Sequence, residues 1–297
     1  MELFVIGNGF DLFHGIHTGY DKFHEWLRLH GKGTFVTDME NFFPDTTVKK
    51  NPAGIPVRES TLWSRFEEAL GKFDAEGIFQ YFTEDIEIDY DHPTQSTAAI
   101  EDASEQHFGR LLDEMQSNFE EWIADIDLTK ISAMAINHFN VNGLYLSFNY
   151  TNTLEQVYGI SSDKICYLHG CASRGDHLVV GHCNHVEEIH DNDMLLYEEN
   201  GRNSVIRLGN GLRKNTQEVL MTHRDFFQRL NQSMDTVICY GHSYAPVDDP
   251  YYEEIMHRVD VNAQWHLSYY SADDMVKMDA FEARLGLNTA NCHPFKM

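Results

Sequence analysis

Short apolar runs recur along the chain, and most of them end in glycine or polar residues. They lie at residues 3–7, 144–148, 164–168, 177–180 and 236–240, and a final strand is predicted at 264–269. Uninterrupted apolar runs of this length are typical of strands that are buried on both faces of a parallel sheet. The pattern therefore predicts a sheet built from these segments.

Helical spacing fills several of the intervals between the runs. The clearest helix covers 108–123, where apolar side chains recur three and four residues apart. We also predict helices at 11–15, 20–29, 62–73, 153–158, 216–230 and 251–259, and loop or exposed connection at 31–60 and 84–102. The alternation predicts an α/β fold with a Rossmann-like, doubly wound, mainly parallel sheet. We expect one domain over 1–297, with a mostly helical insertion at about 35–142 after the first strand-helix unit.

The charge of the chain limits the classes of partner that it is expected to bind. The chain has 22 basic and 47 acidic residues, a formal net charge of -25 at pH 7. Such a surface repels phosphate backbones and anionic lipids, so we expect no direct contact with nucleic acid or membrane. We find neither a signal peptide nor an apolar run near the roughly 20 residues of a membrane helix. Five scattered cysteines suit reduced thiols, so we expect a cytoplasmic protein.

The turn after the first apolar run is the first candidate for ligand chemistry. It reads Gly7-Asn8-Gly9-Phe10-Asp11. Paired glycines after a buried strand let backbone amides approach a phosphate, with help from a helix dipole. Leu12 stands where the usual dinucleotide fingerprint has its third glycine. A tight turn without a ligand is the alternative interpretation.

Polar blocks also follow the next two apolar runs. In the block 147–152, the amide of Asn149 suits a ribose hydroxyl or an ordered water. The alternative is that Asn149, Thr151 or Asn152 caps a helix. His169, followed by glycine, is placed to act as a general base near neutral pH, although most histidines have a structural role.

A fourth block follows the run at 236–240. Gly241-His242-Ser243 leaves room for a ligand and offers it a hydroxyl, and Asp248 lies a few residues further on. A plain strand-to-helix turn is the alternative. Because ligands of open parallel sheets bind outside the carboxyl ends of the strands, we expect the four blocks to meet in one crevice.

Residues 166–190 are rich in cysteine and histidine. Zinc prefers these ligands, but structural zinc sites usually contain close C-x-x-C pairs, and this segment has none. We therefore expect no metal and assign some of these side chains to the ligand crevice.

Taken together, the four blocks resemble the abortive-infection AbiH family of bacterial phage-defence proteins. The matching segments are IGNGFDLFHG at 6–15, SFNYTNTLEQVYG at 147–159, YLHG at 167–170, VVGH at 179–182 and GHSYAPVDDPYY at 241–252. Their order and wide spacing also match, so the resemblance covers essentially the whole chain.

More remotely, the arrangement is similar to the sirtuin-like superfamily, which binds NAD on a Rossmann-like sheet. The resemblance implies that Asn149 and His169 form the catalytic pair. It also implies that the cofactor contacts lie among Gly7, Asn8, Gly9, Phe10, Asp11, Thr151, Asn152, Gly241, His242, Ser243 and Asp248. Thr151 replaces the aspartate of the family's N-x-D block, and the zinc-binding cysteine pairs of deacetylases are absent.

The resemblance implies an anti-phage protein that cleaves the nicotinamide-ribose bond of NAD. One alternative is a non-catalytic nucleotide sensor that controls a partner, and another is a metal-dependent hydrolase or nuclease. NAD is expected as substrate or bound nucleotide. Other expected partners are a second copy of the chain or a phage-derived trigger.

Overall fold

The computed structural model describes residues 1–44, 46–50, 56–87, 89, 91–136, 139–191 and 193–297, with the backbone alone described at 46–50, 56–60 and 93. The strands are β1 (Glu2–Ile6), β2 (Thr46–Lys50), β3 (Pro56–Ser60), β4 (Leu144–Ser147), β5 (Ile165–Tyr167), β6 (Thr236–Tyr240), β7 (Gln264–Tyr269) and β8 (Cys292–Lys296). The helices are α1 (Asn8–Phe13), α2 (Tyr20–Leu29), α3 (Gly33–Phe42), α4 (Phe66–Leu70), α5 (Ala75–Thr83), α6 (Pro93–Ala124), α7 (Thr153–Tyr158), α8 (Leu196–Gly211), α9 (Thr216–Thr222), α10 (Arg224–Arg229), α11 (Asp249–Arg258) and α12 (Ala272–Leu285).

The chain packs into two compact units. The first unit comprises Met1–Gly19, Trp122–Val179 and Asn215–Met297, and the second comprises Tyr20–Glu121 and Val180–Lys214. The helical insertion predicted at about 35–142 falls largely in the second unit, which begins earlier and contains a separate later segment. The single domain over 1–297 stays a prediction. Among the described residues, every helix is too short or too polar to cross a lipid bilayer.

The first unit contains a six-stranded sheet in the order β5-β4-β1-β6-β7-β8, and every neighbouring pair is parallel. From β1 the chain proceeds outward through β4 to β5. It then returns to the other side of β1 and proceeds outward again through β6, β7 and β8. This confirms the predicted Rossmann-like α/β fold. The direction of winding reverses between β1 and β6, where open sheets of this kind bind ligands.

Both faces of the sheet are covered by apolar side chains. Because successive side chains of a strand point to opposite faces, Leu3 and Val5 of β1 join one core cluster, while Phe4 and Ile6 join another. All four side chains are buried. Burial on both faces explains why the strand sequence is continuously apolar.

The second unit is mostly helical and packs around aromatic side chains. The ring of Phe23 on α2 meets the rings of Trp63, Phe66 and Phe119 nearly at right angles, at centroid distances of 5.9, 5.7 and 5.5 Å. Edge-to-face contacts of this kind add to the free energy that burial of aromatic surface contributes. β2 and β3 form an antiparallel pair in this unit.

Several predicted elements are wrong or incomplete. Residues 31–60 contain α3, β2 and β3 rather than mostly loop, and α6 begins at Pro93 inside the predicted connection 84–102. The helix predicted at 62–73 is confined to α4, and that predicted at 216–230 is split into α9 and α10. The apolar run 177–180 is not a strand: the Val179 amide donates to the carbonyl of His169 just beyond β5, but the Val179 carbonyl accepts from the Tyr150 hydroxyl rather than from a strand. The strand β8 and the helices α5, α8 and α12 were not predicted.

Candidate functional site

Four polar segments of the first unit lie side by side at one edge of the sheet. They follow β5, β4, β1 and β6, which are neighbours in this order, and all leave their strands at the carboxyl end. The sheet therefore brings together the four blocks that were singled out in the sequence. Phe148 is a common neighbour, with its ring 5.4 Å from that of His169 and 4.6 Å from that of His242.

The glycines after β1 and β6 allow two turns to touch backbone to backbone. The amides of Gly7 and Gly9 donate to the carbonyls of Tyr240 and Gly241, each at 2.8 Å, and the Phe10 amide donates to Gly7. Gly241 has φ 61°, and a Cβ atom there would lie 2.1 Å from the Phe10 nitrogen. The tight-turn interpretation thus explains the glycines, since these three amides already have acceptors within the fold.

Four predicted contact residues have other surroundings. The side-chain Nδ2 of Asn8 donates to the Thr18 carbonyl, and its Oδ1 accepts from the Thr18 hydroxyl. These two hydrogen bonds fix the loop after α1. Phe10 is fully buried in the core. Asn152 precedes α7 without a side-chain capping bond, and Ser243 is exposed.

Asp11 is a fully buried carboxylate held by two hydroxyls. Thr151 Oγ1 donates to Oδ2 at 2.5 Å, and Thr153 Oγ1 donates to Oδ1 at 2.8 Å. Burial raises the pKa of Asp11 to about 6, and the two threonine hydrogen bonds oppose this rise. α1 therefore presents an acidic group to the segment that follows β4.

Asn149 is buried, with 5% of its surface exposed. Among the described residues, it is the one whose side-chain nitrogen and oxygen are both enclosed without a hydrogen-bond partner. Its amide does lower the pKa of Asp11, which is therefore a near neighbour, although the two side chains make no hydrogen bond of good geometry. Because an unpaired buried polar group costs about 1–3 kcal/mol, Asn149 is suited to a partner that is not part of the chain.

His169 is buried at the end of β5 among aromatic rings. Its ring lies 5.9 Å from that of Tyr251 and 6.3 Å from that of Tyr150, in addition to its contact with Phe148. The two predicted catalytic residues thus follow adjacent strands, with Phe148 next to Asn149 in the chain and next to His169 in space.

His242 and Asp248 form a buried pair after β6. The Tyr244 amide donates to Nδ1 of His242 at 3.0 Å, so the ring proton lies on Nε2, which faces Asp248 Oδ2 at 3.4 Å. Tyr244 has φ 55°, which is uncommon for a residue other than glycine, and its hydroxyl donates to the carbonyl of Ser268. With both ring nitrogens engaged, His242 fixes the shape of this turn.

Three residues of the site were not proposed from the sequence. Thr153 is the second donor to Asp11, and Phe148 joins the two histidines. The hydroxyl of Ser147 accepts the backbone amide of Asn149 at 3.2 Å and so orients it. All three lie within or directly beside the block 147–152, so their position in the motif was the available signal.

The cysteines and histidines at 166–190 are spread over buried and exposed positions. Among the described parts of the chain, no three His, Cys, Asp or Glu side chains lie close enough to hold a metal ion. Cys166 is buried in β5, and its burial raises the thiol pKa to about 12, whereas His177, His185 and His190 are exposed. The metal-dependent alternative stays a prediction.

Comparison with known proteins gives one match. A family model described as bacteriophage abortive infection AbiH matches residues 3–269. Neither the curated proteins nor the solved structures contain a match to the chain.

Proposed function

The chain belongs to the bacteriophage abortive infection AbiH family, which supports an anti-phage abortive-infection role. We propose that the chain fulfils this role by cleaving the nicotinamide-ribose bond of NAD. Water would add to the ribose carbon, nicotinamide would leave with the bonding electron pair, and the products would be ADP-ribose, nicotinamide and a proton. The sirtuin-like resemblance of the sequence motivates NAD as the substrate.

The unpaired amide of Asn149 carries this proposal. Its Nδ2 can donate and its Oδ1 can accept, which matches either a ribose hydroxyl or the attacking water. A group fixed in place before the substrate arrives needs little reorganisation during the reaction, and such preorganised dipoles are the main source of catalysis at sites where charge develops. Asn149 follows β4, which is the neighbour of β1 in the sheet. It therefore lies close to the reversal of winding between β1 and β6, where doubly wound sheets generally bind their ligands.

Asp11 supports the same reaction from α1, the helix that follows the neighbouring strand β1. In the N-x-D block of the sirtuin-like enzymes a carboxylate stands two residues after the asparagine, where this chain has Thr151. The Asp11 carboxylate lies 2.5 Å from the Thr151 hydroxyl, so an acidic group is supplied by α1 instead. With a pKa of about 6 it is mostly ionised at pH 7 and would stabilise the positive charge of the ribose in the transition state.

His169 would act on a ribose hydroxyl or on water as a general base. Its aromatic surroundings limit the access of bulk water, which strengthens electrostatic interactions at the site.

The decisive experiment measures nicotinamide release from NAD by the purified chain, with and without extract of phage-infected cells. We expect release by the wild type and its loss in Asn149→Ala. The matched control is Asn118→Ala, because Asn118 is 2% exposed, also has an unpaired amide nitrogen, and lies on α6 in the second unit. No release under any condition, together with full protection of cells by Asn149→Ala, would refute the proposal.

A nucleotide sensor without catalysis is the second candidate. It is favoured by Thr151, whose hydroxyl donates to Asp11 and is therefore engaged within the fold. In that case the chain binds a nucleotide tightly and returns it unchanged after long incubation, which mass spectrometry of the recovered ligand distinguishes from cleavage.

A further inference from the structure

The second unit contains an extended segment that is bound along α8 by side-chain amides. We call Asn184–His190 the strap. Asn210 accepts the Val186 amide at 3.0 Å and donates to its carbonyl at 2.8 Å. Asn203 does the same for Ile189, at 2.8 and 2.9 Å. Each asparagine therefore satisfies both backbone groups of one strap residue, as a neighbouring strand would.

The spacing of the two asparagines matches an extended peptide. Seven residues of an α-helix rise about 10.5 Å and place both side chains on nearly the same face. Three residues of extended chain span about 10 Å. Asn203 and Asn210 on α8 are thus in register with Ile189 and Val186, with the strap running antiparallel to the helix.

The side-chain amides of α8 hold the strap through its backbone, and its side chains add contacts at the surface. Val186 and Ile189 are half-buried, and the five other strap residues are exposed. Two strap side chains have charged partners on α8: the Glu188 carboxylate lies 3.3 Å from Arg207, and the His190 ring lies 3.4 Å from the Glu199 carboxylate. The opposite face of α8 packs into the core, where Gly201 and Gly209 lie against Phe79 and Phe73. The face of α8 that carries Asn203 and Asn210 therefore binds the strap and takes no part in the core.

We propose that this face of α8 is a peptide-binding site, occupied here by the strap, and that an extended peptide of a partner protein, with a carboxylate opposite Arg207 and a basic side chain opposite Glu199, replaces the strap. Backbone recognition allows a different sequence to bind, and Arg207 favours a carboxylate at the position of Glu188. Few buried contacts hold the strap, so its local release costs little free energy compared with unfolding of the unit.

The test uses the full chain and a labelled peptide with the strap sequence Asn-His-Val-Glu-Glu-Ile-His. The tethered strap competes at high effective concentration, so we first weaken it with V186P and I189P, which remove the two backbone donors and leave α8 intact. We expect this variant to bind the peptide at least about tenfold more tightly than the wild type. Adding N203A and N210A should abolish the gain, because four hydrogen bonds are lost.

Peptide chemistry supplies the sharper control. N-methylation at the positions of Val186 and Ile189 removes the donors and should abolish binding, whereas N-methylation at Glu187 should preserve it. Equal binding of all three peptides, or undiminished binding to N203A/N210A, would overturn the proposal and leave α8 with an internal structural role only. If the proline variant does not fold, hydrogen exchange of the wild type decides. Excess peptide should remove the protection of the Val186 and Ile189 amides, and protection that persists overturns the proposal.

Discussion

Two buried asparagines in the two units differ in one respect. Asn149, after β4, is 5% exposed and has no hydrogen-bond partner for either side-chain atom, whereas Asn203, on α8, is 4% exposed and has a partner for both. The residue type and burial are the same, so the desolvation cost is similar. Only Asn203 recovers that cost within the chain.

The difference separates groups that stabilise a fold from groups that are kept for a ligand. A satisfied amide contributes to the stability of its unit, and its removal leaves backbone groups unpaired. An unsatisfied amide lowers stability, and its persistence is explained by a function. Substitutions at the two positions should therefore have opposite consequences.

The largest effect is expected for catalysis in Asn149→Ala. Loss of a preorganised polar group should reduce the rate of NAD cleavage by about 10²–10³. The free energy of unfolding should stay within about 1 kcal/mol of the wild type or increase, because the unpaired amide is removed. Nicotinamide release and urea denaturation measure the two quantities. A clear loss of stability with normal cleavage would contradict the assignment of Asn149 to a ligand.

Asp11→Asn should stabilise the first unit at neutral pH. The folded carboxyl group keeps its proton up to a pKa of about 6, against the ordinary aspartate value of 3.8, so the free energy of unfolding falls as the pH rises through this window. Removing the charge should recover up to about 3 kcal/mol at pH 7 and little at pH 4. Urea denaturation at both pH values checks this prediction. Asp225→Asn is the control, because that side chain is 89% exposed, and an equal gain there would contradict the burial argument.

Asn203→Ala should destabilise the second unit by about 2 kcal/mol, because the Ile189 amide and carbonyl lose their partners. NAD cleavage should not change. Denaturation, together with hydrogen exchange at Ile189, measures the effect. An unchanged exchange rate at this amide would show that the strap is held by other contacts.

The smallest effect is expected for Arg207→Gln. Its ion pair with Glu188 lies at the surface, with the two side chains 49% and 40% exposed, so its loss should cost about 0.5 kcal/mol or less. Thermal denaturation at low and high salt would test this, and a loss above about 2 kcal/mol, the effect expected for Asn203→Ala, would show that the ion pair contributes more to holding the strap than a side-chain amide does.

The strands β1, β4, β5 and β6 could be predicted from the sequence because they are buried on both faces, whereas β8, which is mostly exposed, was not predicted. The predicted strands at 236–240 and 264–269 and the helices at 20–29 and 153–158 coincide with β6, β7, α2 and α7. The run at 177–180 has the same composition as a strand, since local sequence does not specify whether a buried extended segment has a strand beside it.

The helix α8 could not be predicted, because its own sequence argues against a helix. It contains three glycines and three asparagines, which are poor helix formers. Two of the glycines are required by contacts with Phe79 and Phe73, and two of the asparagines by the strap. Tertiary contacts thus outweigh propensity, and they are not visible in a local window.

The sequence identified individual residues of the site but not the hydrogen bonds between them. Asn149, His169 and Asp11 were recognised as candidates from the ends of strands. The hydrogen bonds of Thr151 and Thr153 to Asp11 join residues about 140 positions apart, and no spacing rule in a single sequence specifies such a pair.

The place of β1 in the sheet has a consequence for synthesis of the chain. β1 is synthesised before the other strands of its sheet, yet it lies at the centre of the sheet, and its neighbours β4 and β6 emerge from the ribosome roughly 140 and 230 residues later. The apolar strand β1 therefore stays unpaired while the first segment of the second unit is synthesised and folds. Chaperones that shield nascent apolar strands are expected to set the yield of this protein in the cell.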